Sequence, residues 1–342
     1  MKRFSLHALL IAVLAVAGCA DGPAGPAATQ GLFFAVGQQP NTWTVLTNVP
    51  TASPSSLGVE GMSVASVDNK IIAALGNEEP DKATTRIYDV DGDTWSFGAN
   101  APGPNAEGAG VAHGGLFYSI GGRFMQTPRA DIWSYDPATD TWNASLTPMS
   151  LGRTGLAVAA VGNSLYAIGG RTTTSGPCSG FGTHQLASVE RYDIATDSWT
   201  TVASLPSARS DLAAATVGGK IYVFGGCRGD ETILNDVDVY DPVTDTWSTA
   251  PSDMPTARAA MYAVATRGGT VYVIGGWDGI GNGLSTNEAY EVPQDQWTTG
   301  LPPMPTPRAE AGIADYGGRI FVVGGGQPGF GSPVAAMEVF KP

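Results

Sequence analysis

The feature that most limits how this chain can fold is an eight-residue pattern, Tyr-Asp followed by a turn and a Trp, which recurs about every 50 residues. "YDPATDTW" is a clear copy, and the last copy, "YEVPQDQW", has diverged. The copies lie at residues 88–95, 135–142, 192–199, 240–247 and 290–297. One catalytic site needs one set of reacting groups, so a motif repeated at this interval indicates a structural unit that is used many times.

The repeated unit is longer than the octapeptide. Before it, the chain passes from an Arg through small and apolar residues to a Gly-containing turn and an apolar segment ending in Gly-Gly, as in residues 208–226. The turn supplies the positive backbone angles of a tight hairpin, and "DPATD" combines Pro with Asp and Thr that bond the local backbone. The unit therefore contains four strands, named A, B, C and D, and the octapeptide is the corner between strands C and D.

The joint recurrence of Arg, Gly-Gly, Tyr-Asp and Trp at this period resembles the kelch repeat. The resemblance implies an all-β fold, a six-bladed kelch-type β-propeller whose four-stranded blades surround a central channel. Six Gly-Gly positions, the first reduced to Leu75-Gly76, mark the blades. The sixth blade reaches Phe340 near the end of the sequence without a strand D. We therefore predict that the N-terminal strand around Trp43 completes the last blade and closes the ring.

The N-terminal residues have the composition of an export signal. Residues 1–18 join a basic start to an apolar run that is too short for a good membrane span. "VAGC" resembles a bacterial lipobox, which implies lipidation of Cys19 and, with Ala20 next, sorting to the outer membrane. The alternative is an ordinary cleaved signal with a chance cysteine. Residues 19–31 are predicted to be a flexible tether and residues 32–342 to form the propeller.

The chain is acidic, with a formal net charge of −13, or −15 once a signal carrying two basic residues is removed. Nucleic acids and anionic headgroups need a basic patch, so both are poor candidate partners, and only the lipid would contact the membrane. His113 and His184 alone would remain in the mature chain, which argues against copper and histidine-based zinc sites. "GGGQPG" is not followed by a helix, so we predict neither a dinucleotide nor any other cofactor.

The order of the strands leads us to expect the functional site on one face of the propeller. The D-to-A and B-to-C connections share the face that carries the length variation, called the variable face here. An arginine begins strand A in four blades, and Asn105 takes the matching place in blade 2. Two interpretations are open: a partial cationic ring that binds a carboxylate, or bonding to loop carbonyls and to the acid two residues on, such as Asp211 or Glu310. The arginines are Arg153, Arg209, Arg258 and Arg308.

The B-to-C loops add aromatic residues and two cysteines to the variable face. The aromatic residues either pack under their own loops or form a stacking platform for a sugar or peptide. Cys178 and Cys227 lie in the loops of adjacent blades, and in an oxidising compartment we expect them to form a structural disulfide. The aromatic residues are Phe124, Phe181, Trp277 and Phe330.

Propellers host unrelated activities, so the fold leaves two hypotheses for function. The first is a non-catalytic, lipid-anchored binding module of the cell envelope that recognises a peptide, a protein or a glycan, including an anionic one. The second follows from resemblance, because six-bladed kelch propellers include the periplasmic sialic acid mutarotases, isomerases of a carboxylated sugar. Such an enzyme needs an unpaired acid beside an arginine at the channel mouth. The available acids are Glu107, Asp211, Glu231 and Glu310, and the available cations are Arg209, Arg228 and Arg308.

Overall fold

The computed structural model describes residues 40–52, 56–78, 83–173, 178, 184–281, 283–327 and 332–342. These residues form strands and turns with a single 3₁₀ turn, Val292–Gln294. In this part of the chain, no helix has the length and apolar character needed to cross a membrane. The predicted signal and tether, with Cys19, lie outside the described residues.

The strands alternate with tight turns along the whole described chain. In chain order they are β1 (Thr42–Val45), β2 (Ser63–Val67), β3 (Lys70–Ala74), β4 (Thr85–Asp89), β5 (Thr94–Gly98), β6 (Ala109–His113), β7 (Leu116–Ile120), β8 (Arg123–Phe124), β9 (Thr127–Pro128), β10 (Ile132–Asp136), β11 (Thr141–Asn143), β12 (Ala157–Val161), β13 (Ser164–Ile168) and β14 (Val189–Asp193). They continue as β15 (Ser198–Val202), β16 (Ala213–Val217), β17 (Lys220–Phe224), β18 (Val237–Asp241), β19 (Thr246–Thr249), β20 (Tyr262–Ala265), β21 (Thr270–Ile274), β22 (Asn287–Glu291), β23 (Gln296–Thr298), β24 (Gly312–Tyr316), β25 (Arg319–Val323), β26 (Gly326–Gln327), β27 (Ser332–Pro333) and β28 (Met337–Lys341).

Six four-stranded antiparallel sheets confirm the predicted propeller. Blades 1 to 5 are the sheets β2-β3-β4-β5, β6-β7-β10-β11, β12-β13-β14-β15, β16-β17-β18-β19 and β20-β21-β22-β23. Apolar side chains fill the interfaces between neighbouring blades, as where Ile120 of blade 2 meets Leu165 and Tyr192 of blade 3. Strand A of every blade lines the central channel, so the residues that begin strand A surround one end of it.

The last blade is completed by the N-terminal strand, as predicted. Its order is β24-β25-β28-β1, and β1 pairs antiparallel with β28 so that Trp43 lies opposite Phe340 and Thr44 opposite Val339. The rings of Trp43 and Phe340 are 5.1 Å apart between centroids. The Trp43 indole N–H donates to the carbonyl of Pro302 at 2.9 Å. The ring of blades is therefore closed by hydrogen bonds between the two ends of the described chain.

The recurring octapeptide joins each blade to its neighbour. In blade 2, Tyr135 donates its hydroxyl to Asp140 at 2.6 Å. Asp140 also accepts the N–H of Ala99, which follows strand D of blade 1, and the Trp142 indole donates to the Ala99 carbonyl. The Tyr135 and Ala99 hydrogen bonds to the carboxylate lower the pKa of Asp140. The repeated residues therefore form the hydrogen bonds that join neighbouring blades. Each blade needs these contacts, which explains why the chain repeats the motif.

Candidate functional site at the channel mouth

The four arginines that begin strand A form buried ion pairs and do not face the channel. All four are 0–1% exposed. Each contacts an acid near the start of strand C in its own blade at 2.5–2.7 Å, and each also donates to backbone carbonyls. The pairs are Arg153 with Glu190, Arg209 with Asp238, Arg258 with Glu288, and Arg308 with Glu338. A guanidinium removed from water needs a carboxylate beside it, and strand C supplies one.

The predicted cationic ring is therefore wrong, and so is the predicted pairing of Arg209 with Asp211 and of Arg308 with Glu310. Asn105, the matching residue of blade 2, is also buried, and its side-chain amide donates to the carbonyl of Gly121 at 2.7 Å. The predicted bonding of the arginines to carbonyls agrees with the structure. These five residues stabilise the blades and are unavailable to a ligand.

A closed ring of backbone hydrogen bonds surrounds the channel mouth instead. One residue per blade, just before strand A, has a positive φ of 50–63°. Each of these residues donates its N–H to the carbonyl of the equivalent residue in the preceding blade, at 2.7–3.3 Å. The six residues, called the backbone ring here, are Gly61, Glu107, Gly155, Asp211, Ala260 and Glu310. Acids occupy blades 2, 4 and 6, and small residues occupy the blades between them.

Arg171 pairs with two of the three ring acids. Its two terminal nitrogens contact Asp211 at 2.5 Å and Glu107 at 3.0 Å, and its side chain is 1% exposed. Burial alone lowers the pKa of Arg171, but the carboxylates of Asp211 and Glu107 outweigh burial and raise it. A Cβ atom at Gly155 would clash with the Arg171 guanidinium and the Asp211 carboxylate, so a larger ring residue in blade 3 would disturb this ion pair.

Arg171 occupies a position that is equivalent in all six blades, the residue directly after Gly-Gly, called the post-glycine position here. A two-residue bridge fixes it, since Arg171 and Thr154 exchange backbone hydrogen bonds. In blade 2 the same position holds Arg123, which contacts Glu107 at 2.7 Å. Sequence reasoning missed both arginines because its candidate cations were Arg228 and the arginines that begin strand A. Their place after Gly-Gly was visible in the repeat.

Glu310 is the ring acid without a cation. Among the described residues, its carboxyl group has no hydrogen bond and no ion pair. The post-glycine position of its own blade is Gly326, which exchanges backbone hydrogen bonds with Ala309 and brings no side chain. Burial, followed by the charges of Glu107, Glu60 and Asp211, raises the pKa of Glu310 well above its ordinary value, although Arg171 opposes this.

A cavity of about 110 Å³ lies within the backbone ring. It is lined by all six ring residues, by apolar residues at the start of strand A and by Tyr262. Tyr262 is 5% exposed; its hydroxyl oxygen accepts the N–H of Ala311 at 2.5 Å, and its proton has no acceptor among the described residues. The described lining of this mouth cavity therefore contains three carboxyl groups and no cationic side chain.

A disulfide fixes one side of the mouth. Cys178 and Cys227 form the predicted disulfide, with Cα atoms 5.6 Å apart, within the range of roughly 4.4–6.8 Å usual for such bonds. The backbone N–H of Cys178 donates to Asp211 at 3.2 Å, so the loop that the disulfide holds also positions this ring acid. Cys178, Asp211 and Cys227 are the one cluster of potential metal ligands within the described residues, and the disulfide engages both sulfurs.

The predicted aromatic platform is not a single surface. Phe124 is half-buried in the β8–β9 hairpin of blade 2. Trp277 is half-buried in blade 5, against the disulfide cluster, and its indole donates to the carbonyl of Gly281 at 2.9 Å. Blades 2 and 5 lie on opposite sides of a six-bladed ring, so these two side chains cannot stack on one small ligand. Phe181 and Phe330 lie outside the described residues.

Two other acid–base candidates lie away from the mouth cavity. Glu231 is exposed in the B-to-C loop of blade 4 and does not line the cavity. Arg228 lies 3.5 Å from Asp236 and is 44% exposed. Of the acids that the sequence offered, the structure brings Glu107, Asp211 and Glu310 together at the mouth.

Comparison with known families identifies the repeat. The profile of the "KLHDC2/KLHL20/DRC7 Kelch-repeats domain" matches residues 109–325, well over half of the chain. The chain belongs to the kelch-repeat family. Kelch-like protein 25 of Xenopus tropicalis is 32% identical over 166 residues, which cover 48% of this chain and 28% of that protein. Kelch-like protein 36 of Bos taurus is 31% identical over 204 residues, covering 58% and 32%.

This kelch chain spans about a third of the length of those relatives. A solved structure, "Structure of YjhT", covers 85% of this chain and 95% of its own, with a TM-score of 0.72 and 15% sequence identity. At that identity the likeness establishes the propeller fold alone. Kelch propellers are scaffolds that bind proteins and other ligands, and this chain shares that architecture.

Proposed function

We propose that this kelch protein is a non-catalytic, lipid-anchored binding module of the cell envelope that recognises a protein or peptide on its variable face. The observation that carries the proposal is the mouth cavity, where Glu310 and Tyr262 retain unused hydrogen-bonding capacity. Tyr262 is buried and Glu310 is half-buried. Polar groups withdrawn from water are normally hydrogen-bonded, so these two groups in one cavity favour a ligand that pairs with them. The variable loops surround this mouth and supply the surrounding contact area.

The isomerase hypothesis has less support from the site. A carboxylated sugar needs a free cation beside the acid, and none of the described residues that line the cavity is cationic. Arg171 already uses both terminal nitrogens on Asp211 and Glu107. Three carboxyl groups in the lining would instead repel a carboxylate ligand. The same three carboxyl groups also argue against an anionic ligand for the proposed binding module.

Replacing Cys19 by Ala should release the protein from the membrane. The lipobox-like sequence motivates this expectation, and acyl chains contribute about 0.8 kcal/mol per buried CH₂ to membrane binding. The measurement is fractionation of cells that express the full chain, together with metabolic labelling by a radioactive fatty acid. We expect label in the wild type and none in the variant. An unlabelled wild type that still sediments with membranes would contradict the lipid anchor.

Ligand contact should be confined to the variable face. Ile280 lies in a B-to-C loop of that face and is 93% exposed, whereas Val243 lies in a C-to-D corner of the other face and is 92% exposed. A photo-crosslinking amino acid at position 280 should capture a defined partner in cells, and the same group at position 243 should not. Mass spectrometry of the products is the readout. Equal capture at both positions, or none at position 280, would argue against the proposed binding face.

A further inference from the structure

Blades 2 and 6 carry the same acid in the backbone ring but differ at the post-glycine position. In blade 2, Arg123 at that position contacts Glu107 at 2.7 Å through two nitrogens. In blade 6, Gly326 at that position leaves Glu310 with no partner among the described residues. Both positions are fixed by the same backbone bridge to the residue before the ring, so the comparison is between equivalent places. Blade 2 therefore shows the ion pair that blade 6 lacks.

The space beside Gly326 is acidic. A Cβ atom at Gly326 would meet a carboxylate oxygen of Glu60, so Glu60 projects toward the place where the missing side chain would begin. Glu60 accepts one hydrogen bond from the side-chain amide of Asn77 at 3.1 Å. Glu60 and Glu310 are close enough for the charge of Glu60 to raise the pKa of Glu310. Glu60 and Glu310 are therefore neighbouring acids, and no cationic side chain of the described residues forms an ion pair with either of them.

We propose that the mouth cavity binds a guanidinium or ammonium group of the ligand, the side chain of an Arg or Lys in a protein or peptide, which pairs with Glu310 as Arg123 pairs with Glu107. The nearby charge of Glu60 adds to the attraction for this cation. This inference rests on the proposed function and specifies the ligand's chemistry. The cavity of about 110 Å³ holds several water molecules, which is room for one small headgroup. A peptide also brings a carbonyl oxygen, the acceptor that the buried hydroxyl of Tyr262 needs.

The site should bind its ligand more tightly as pH rises. Burial and the charges of Glu107, Glu60 and Asp211 raise the pKa of Glu310, and the charge of Arg171 opposes them. Tyr262 lines the same cavity. A neutral carboxyl group cannot form the ion pair, so below its raised pKa Glu310 must lose a proton when the cation binds. Affinity is therefore low below the pKa of Glu310 and increases as pH passes through it, and binding releases a proton.

The chain itself offers a test that needs no known ligand. Gly326→Arg places the missing guanidinium beside Glu310, and Gly326→Gln places a neutral side chain of similar size there. We expect Gly326→Arg to unfold roughly 3 °C or more above Gly326→Gln. Adding Glu310→Gln to both variants should remove the difference, because the new ion pair is lost. An arginine effect that persists with Glu310→Gln, or no arginine effect at all, would overturn the proposed site.

Binding is tested with the capped peptides Gly-Gly-Arg-Gly-Gly and Gly-Gly-citrulline-Gly-Gly, which differ in charge but hardly in shape. By NMR titration of the propeller, we expect the Arg peptide to bind about tenfold more tightly, as charge-assisted hydrogen bonds predict. Glu310→Gln and Gly326→Arg should remove this preference, and Glu231→Gln, in an exposed loop, should keep it. Equal binding of the two peptides, or binding of neither, overturns the cation site. Crosslinking at Ile280 that survives Glu310→Gln would leave the binding face intact and refute only the cation.

Discussion

Replacing Arg258 by Ala is expected to lower the free energy of unfolding by about 3–5 kcal/mol, because it leaves a buried carboxylate without its cation. Arg258 is fully buried and contacts Glu288 at 2.6 Å. It also donates to the carbonyls of Gly275 and Thr286 at 3.0 and 3.3 Å, and these would lose a donor. Denaturant unfolding of the variant and the wild type measures the difference.

The matched control is an exposed ion pair in the same fold. Lys220 contacts Asp241 at 3.1 Å, and the two side chains are 49% and 27% exposed. Lys220→Ala should cost about 0–1 kcal/mol, since water replaces the lost partner. The double variant Arg258→Met with Glu288→Leu should recover most of the stability, because it removes both buried charges. If Arg258→Ala costs no more than Lys220→Ala, the guanidinium does not stabilise the blade as described.

Removing the N-terminal strand β1 should have a comparably large effect. A chain that begins after Val45 loses the backbone pairing of β1 with β28 and the contact of Trp43 with Phe340. Loss of a packed Trp side chain alone costs about 3–5 kcal/mol, which lowers the unfolding midpoint by roughly 5–8 °C in a chain of this size. Differential scanning calorimetry of the shortened and full chains is the measurement.

A peptide of residues 40–49 added to the shortened chain serves as the control. It should restore much of the midpoint in a concentration-dependent way, because it can pair with the open edge of β28. The same peptide with Trp43 replaced by Ala should restore less. A shortened chain that unfolds at the temperature of the full chain would show that β1 does not hold the ring closed.

The fold could be predicted because the repeat reports it several times over. Each octapeptide places a Tyr, an Asp and a Trp at fixed distances, and the structure uses all three in one set of contacts between blades, as at Tyr135, Asp140 and Trp142. Closure was predictable from Trp43 because a sixth Trp stood apart from the other repeats. Turn residues and a fixed repeat period in the sequence are enough to predict the strands, the number of blades and the closure of the ring.

The site could not be predicted to the same degree because its partners are distant in sequence. The sequence offered the acid two residues on as one partner for Arg209, but Arg209 pairs with Asp238, 29 residues away, across the sheet from strand A to strand C. The sequence did contain a signal for these ion pairs, because strand C carries an acid two residues before the Tyr of the octapeptide in blades 3, 4 and 5. The convergence of Glu107, Asp211 and Glu310 depends on the diameter of the ring. No single repeat contains that information.

The backbone ring has a consequence for how the mouth comes into being. In an open array of repeats, each unit contacts only its neighbours, and a shortened array keeps the contacts of the units that remain. Here the hydrogen bond from Gly61 to Glu310 joins the first blade to the last. The cavity and its acids are therefore assembled only when every blade is in place. A chain that lacks a blade would lack the closed mouth, so the proposed binding requires all six blades.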